Sequence, residues 1–177
     1  MREIKKRLIK LFRGGSETIE QLRKRGVIVG NNVSNYGRID GGHGHLVEIG
    51  DDVIISDALI LSHDASTKIW LDKSKIGRVK VGNRVFIGAG VIILPNVVIG
   101  DDVIIGAGSV VTKNVSSNSV VAGNPAKKIC SLEDYIEKNR EIMKKSPIYE
   151  TYWKNKTKDE INRQYEELKD GGWGYDV

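Results

Sequence analysis

The chain has 177 residues, with 28 Lys or Arg against 23 Asp or Glu, a net charge of +5. The surplus sits in residues 1–26, which hold nine basic and three acidic residues; the rest is near neutral, which excludes a dedicated nucleic-acid surface. A single cysteine, Cys130, excludes an internal disulfide framework, and no apolar run approaches the ~20 residues of a membrane span. The start, MREIKKRLIKLF, carries charges inside its apolar stretch and no cleavage site, so it does not read as a signal peptide, and a soluble cytoplasmic protein is expected.

Residues 1–26 read as a basic helical segment interrupted at Gly14–Gly15, with Ser16–Ile19 opening a second short helix that ends at Gly26. Ile4, Leu8, Leu11 and Phe12 form an apolar stripe among Lys5, Lys6, Arg7, Lys10 and Arg13. Two readings follow: a helix that covers the open end of the next domain, or weak contact of residues 1–13 with an anionic membrane surface.

From residue 27 onward a period of six takes over. Aliphatic residues return at Val81, Ile87, Ile93, Ile99, Ile105 and Val111, and a small or aliphatic residue follows four places after each. The register extends back through Leu61, Ile55, Ile49, His43, Asn35 and Val29, giving twelve hexads. Two extra residues at Gly41–Gly42 and fourteen between Ser66 and Val81 interrupt it. No α-helix or hairpin has this period. One short strand plus one corner does, with first and fifth places pointing inward and the residue between them outward. Three hexads make a triangular coil, and four coils stacked ~4.8 Å apart make a parallel β-helix roughly 19 Å tall. The residue before each hexad start then sorts by face: Ser34, Ile54, Phe86, Ile104; Asp40, Ile60, Ile92, Val110; Glu48, Ser66, Val98, Ser116. Two of these columns are apolar, an unusual load for a monomer, and heterologous packing of one face on another closes as a ring. A trimer of prisms is expected.

The domain boundaries read as a cap over 1–26, a β-helix over 27–130 with a loop over 67–80, and a helical extension over 131–177. In the extension, Ser131 is an N-cap for a helix to residue 145, Pro147 interrupts, and residues 158–169 form a second helix. Tyr152, Trp153 and Trp173 are expected to pack against the prism rather than stack on substrate.

The stretch VGNRVFIGAGVIILPNVVIGDDVIIGAGSVVTKNV, closed by VVAGNPAKKI, resembles the hexapeptide-repeat acyltransferases over roughly residues 29–130. SHDAST resembles the histidine segment of their sugar O-acetyltransferase branch. The resemblance implies a left-handed helix, acetyl-CoA as co-substrate, a homotrimer with sites between subunits, and a carbohydrate or nucleotide-sugar acceptor, in a pathway such as surface polysaccharide synthesis. It implies His63 as catalytic base, since transfer from a thioester to a hydroxyl needs a base that titrates near neutrality. For the coenzyme it implies Thr112, Lys113 and Lys127, with Ala89 and Ala107 of the two IGAG motifs eighteen residues apart on one corner. A second basic contact falls at Cys130, where Lys128 is the substitute, and the tryptophan often found before IG is Phe86. On the acceptor side stand Asn35, His45 and Asp64. His45, eighteen residues before His63, is expected one coil below it, His43 points inward, and Asp64 either orients His63 or caps its turn. No metal is expected. The alternatives are N-acetylation of an amino sugar, a three-histidine zinc enzyme of the γ-carbonic-anhydrase kind, or a non-catalytic scaffold.

Overall fold

The computed structural model describes residues 17–177. The chain divides into two compact units at Leu132/Glu133.

The first unit is a left-handed parallel β-helix. Its first sheet stacks β1 (Ile28–Val29), β4 (Val47–Ile49), β9 (Val79–Val81) and β12 (Val98–Ile99). Its second stacks β2 (Ser34–Asn35), β5 (Ile54–Ile55), β10 (Val85–Ile87), β13 (Val103–Ile105) and β15 (Ser119–Ala122). Its third stacks β3 (Arg38–Ile39), β6 (Leu59–Ile60), β11 (Ile92–Ile93) and β14 (Val110–Val111). Four coils are complete, and the bridge of Val115 to Ile99 together with β15 begins a fifth. Inside run two aliphatic columns, Val29–Ile49–Val81–Ile99 and Ile39–Ile60–Ile93–Val111, and a third that starts at half-buried Asn35 and continues through Ile55, Ile87, Ile105 and Val121. With almost no aromatic residues, the core is built from β-branched side chains whose stiff χ1 suits short stacked strands.

One corner column explains the recurrent glycines. A Cβ on Gly82 would lie 2.7 Å from the carbonyl of Gly100, so only glycine allows the coils to stack there. Beside it a chain of side-chain acceptors crosses the coils: the Asn83 N–H donates to Asp101 at 2.7 Å and the Asp51 N–H to Asn83 at 2.9 Å.

The helix departs from a strict period in its third sheet. Ile60 pairs with Ile93 and is fully buried, whereas Leu61, the expected inward residue, is only half-buried. The corner between second and third sheets is two residues short in the first coil, where Ile39 follows Asn35 by four, and one short in the second, where Ile60 follows Ile55 by five; the later coils keep six. Asp40 and Ile60, expected outward, therefore turn in, and the outward column is Arg38, Leu59, Ile92, Val110. The first sheet's outward column is Ile28, Glu48, Lys80, Val98, not one containing Ser66 and Ser116. Glu48 there pairs with Arg78 and, at 2.9 Å, with Lys80. The Ser34, Ile54, Phe86, Ile104 column stands as expected.

The long insertion is structured. β7 (His63–Asp64) pairs antiparallel with β8 (Lys75–Ile76), and a single helical turn, labelled α2 (Lys68–Leu71), fills the excursion. The prism resumes at Val79, ahead of the expected loop end at residue 80. At the N-terminal side α1 (Ile19–Lys24) is closed by a capping box between Thr18 and Gln21 and packs on β1, burying Leu22 in the core. The rest of the expected basic cap, residues 1–16, lies outside the described residues. At the other end β16 (Lys127–Ser131) turns back antiparallel on β15.

The second unit contains most of α3 (Leu132–Met143), α4 (Lys158–Leu168) with its own capping box, and a parallel pair of β17 (Ile148–Tyr149) and β18 (Tyr175–Asp176). Tyr152, Trp153 and Trp173, expected to pack, are exposed, with Tyr152 and Trp153 in ring contact with each other. Among the described residues no helix is long and apolar enough to cross a membrane.

Candidate active site

The site grows from the shortened third sheet. After β3 the chain turns at Gly41–Gly42 and runs into a 3-10 turn, Gly44–Leu46. One coil on, the chain leaves β6 through Ser62 and enters the insertion at His63. Asp40 sits between these two exits, only 3 % exposed. Its Oδ1 accepts the N–H groups of Gly42 at 2.9 Å and His43 at 3.1 Å, and its Oδ2 those of Ser62 at 3.1 Å and His63 at 3.0 Å. The same Oδ2 meets His63 Nδ1. Burial by itself pushes this carboxyl up, but the bond from His63 and the backbone N–H groups outweigh it and hold Asp40 well below the usual carboxylate range. A charged carboxylate thus fixes one imidazole nitrogen, and the ring remains 38 % exposed.

The sequence reading assigned Asp40 to an outward face and missed it. The available signal was the insertion at Gly41–Gly42, which frees the preceding residue from the hexad rule. Asp64 does not orient His63. Its carboxylate pairs with Lys75 at 2.8 Å and accepts the Ser66 N–H at 2.8 Å, and with Lys75 as the main cause its pKa is lowered to about 2. The ring neighbouring His63 is His43, at 5.1 Å between centroids, not His45. His43 is half-exposed at the cap of the 3-10 turn instead of pointing into the core, because the two-residue insertion breaks the register there. His45 is exposed, 6.1 Å from His43.

An open depression of about 330 Å³ adjoins His63, lined among others by Glu17, Arg38, Gly41, Leu59 and Leu61. Asn35 stands behind it, with its amide donating to the Glu17 carbonyl at 3.0 Å and accepting the Gly37 N–H at 3.1 Å. Asp40, His43 and His63 offer ligand atoms within 4.8 Å of one another, so a cation is conceivable on distance alone. The fit is poor: Asp40 already accepts five hydrogen bonds, and a metal would have to displace some of them. His45 stands outside this cluster, so the three histidines do not form one ligand set.

The other singled-out residues lie apart from this depression, in three places. Ala89 and Ala107 are exposed on successive coils at the corner between second and third sheets, where the Gly108 N–H donates to the Ala89 carbonyl at 2.8 Å. Gly90 and Gly108 complete that corner with φ of 70° and 69°, and a Cβ on Gly108 would meet nothing within 4 Å. The corner is therefore an open, narrow ledge. Thr112 and Lys113 are exposed just after β14, on the corner column that carries His63, two strand spacings or about 10 Å along the stack. Lys127 is exposed on β16 opposite Ala122. Within one chain the width of the third sheet separates the alanine ledge from His63.

Residues 78–113 match the family described as bacterial transferase hexapeptide (six repeats). The chain is 43% identical to Protein CapG of Staphylococcus aureus over 143 residues, covering 75% of this chain and 81% of that one. Among solved structures it resembles a maltose O-acetyltransferase from Clostridium difficile 630, with a TM-score of 0.52 and 30% identity, over 73% of this chain and 85% of that one. It also resembles a galactoside acetyltransferase in complex with coenzyme A, with a TM-score of 0.53 and 30% identity, over 63% of this chain and 58% of that one. Kinship with CapG along most of both chains, together with the repeat itself, makes this chain a member of the hexapeptide-repeat acyltransferase family.

Proposed function

We propose that the protein transfers an acetyl group from acetyl-CoA to a carbohydrate hydroxyl. The observation that carries this reading is the buried, ionised Asp40 bound to Nδ1 of a half-exposed His63 beside an open depression. With Nδ1–H committed to the carboxylate, Nε2 keeps its lone pair and faces the acceptor. His63 takes the hydroxyl proton, and the oxygen attacks the thioester carbonyl. The tetrahedral intermediate collapses with loss of the thiolate, which recovers the proton from the imidazolium. Asp40 stabilises that imidazolium between the two proton transfers. A hydroxyl needs this help more than the free amine of an amino sugar does, which favours O- over N-acetylation.

Acetyl-CoA runs along the Ala89–Ala107 ledge, where the side chains are too short to block the pantetheine arm. Thr112, Lys113 and Lys127 supply the hydroxyl and cations for its phosphates. His45 lies at the rim of the acceptor site, Asn35 braces its floor, and Asp64 holds the insertion closed through Lys75. Ledge and base lie on different corners of one prism, so a complete site calls for a neighbouring copy. That supports a trimer with sites between subunits.

The test is a screen of sugars, amino sugars and nucleotide sugars for CoA release, with His63→Ala as control. Transfer to hydroxyl acceptors should fall about 10²–10⁴-fold in His63→Ala if base catalysis alone is lost. Activity within a few-fold of the parent would remove His63 from the mechanism, and acetylation confined to amines would replace O- by N-transfer.

A further inference from the structure

The depression beside His63 holds a guanidinium, that of Arg38, with no ion-pair or hydrogen-bond partner among the described residues. Arg25, Arg78, Arg84, Arg140 and Arg163 each meet a carboxylate, and Arg23 donates to the carbonyls of Val29 and Gly30 at 2.9 Å. Arg38 alone among the described arginines has no such partner. Glu17, on the same depression, is paired with Arg25, and Asp40 is buried with its oxygens turned to five other donors, so neither carboxylate pairs with Arg38. Arg38 stands on β3 as the outward neighbour of Leu59, at the end of the otherwise apolar column Leu59, Ile92, Val110. A guanidinium beside apolar walls is less well hydrated than one in open water, which strengthens its attraction for an oxyanion. Its planar fork matches a carboxylate or phosphate with two parallel bonds.

We infer that the acceptor carries an anionic group, a sugar carboxylate or a nucleotide diphosphate, that Arg38 binds while His63 reaches the hydroxyl. This rests on the acyl-transfer reading above and narrows its substrate class. Arg38 touches the acceptor in the ground state and the transition state alike, so its loss belongs in KM for anionic acceptors more than in kcat.

The experiment measures CoA release from acetyl-CoA with methyl glucoside, methyl glucuronide and UDP-glucose, in the parent, Arg38→Gln and Arg38→Lys. A two-pronged pair with an exposed guanidinium predicts about a 5-fold advantage in kcat/KM for an anionic probe over the glucoside. The advantage should shrink to within about two-fold in Arg38→Gln and be partly kept in Arg38→Lys, which retains charge without the fork. Preference for the glucuronide assigns the carboxylate, and preference for UDP-glucose the diphosphate. Equal use of the neutral probe, or an anionic preference that survives in Arg38→Gln, overturns the inference. So does a changed sedimentation coefficient in Arg38→Gln, which would place the guanidinium in a contact between copies. If no probe is acetylated, calorimetric binding decides. Binding of the anionic probes that Arg38→Gln abolishes keeps the inference while the acetyl-transfer reading fails; anionic binding that is absent, or unchanged in Arg38→Gln, overturns the inference.

Discussion

Asp40 accepts five hydrogen bonds, four from backbone N–H groups on two different coils, and this makes one side chain both a structural staple and the holder of His63. In Asp40→Asn one oxygen becomes an NH₂ that confronts donors. Leaving those N–H groups unsatisfied should cost about 1–3 kcal/mol, or several degrees in Tm for a chain of this size. Transfer should fall about 10²–10⁴-fold, because the imidazolium loses its counter-charge. The folded-state pKa of Asp40 is depressed, so its ionised form stabilises the fold fully above the ordinary carboxylate range near 4. That contribution drains away as the pH falls below this range toward the lower folded value. Thermal unfolding followed from pH 7 to 2 should therefore drop more steeply in the parent than in Asp40→Asn, and parallel curves would show that Asp40 does not carry this linkage. His63→Ala should lower Tm less than Asp40→Asn, since the ring is partly exposed on a corner, but not leave it unchanged, because the buried Asp40 loses one of its five donors.

At the scale of elements, the corners matter more than the strands. Ala89 and Ala107 owe their alignment to a strict hexad register between β10 and β13, which pair without slip from Val85–Val103 to Ile87–Ile105. A large side chain on that ledge should obstruct the coenzyme arm. Ala107→Tyr is expected to raise the apparent Km for acetyl-CoA strongly while leaving the Asp40–His63 pair, on another corner, undisturbed. Lys113→Ala and Lys127→Ala should give weaker losses that shrink with salt, because both lysines are exposed and their attraction is screened within about 8–10 Å at ordinary ionic strength. Calorimetry of acetyl-CoA binding at two salt concentrations checks all three. Unchanged affinity in Ala107→Tyr would move the coenzyme to a different corner.

For the whole molecule, the second sheet exposes Ile54 and Phe86, 43% and 41% accessible in the single chain, with Ile104 continuing the column. The third sheet shows Leu59, Ile92 and Val110. Apolar columns on two faces of one prism are the surfaces by which the proposed ring would close. Phe86→Asp should dissociate it, since a buried, unpaired carboxylate costs several kcal/mol at each interface. Sedimentation of Phe86→Asp as an intact trimer would show that this face is not the contact. Activity should fall with assembly, whereas the circular dichroism of the β-helix should persist, because Phe86 contributes little to the core.

The period of six was legible because it is a local property: strand, corner and inward residue repeat within a few positions, so the three-sheet prism and most of its core could be read from aliphatic spacing. The stacking of Ala89 on Ala107 was legible through unbroken register, while His63 was singled out only through the segment around it. What the linear pattern could not supply was the slip. A corner one residue shorter between β5 and β6 leaves hydrophobicity almost unchanged, because Ile60 and Leu61 are equally apolar, yet it turns Leu59 outward in place of Ile60, and the still shorter corner between β2 and β3 turns Arg38 outward in place of Asp40. Side-chain direction alternates with each residue, so a shift of one reverses which face a residue serves. Asp40 was lost for a related reason: its partners are backbone N–H groups of Ser62 and His63, more than twenty residues away, brought to it only by stacking one coil on the next. Sequence spacing determined the repeating architecture, whereas the register slip and the three-dimensional convergence on Asp40 decided which residues face the site.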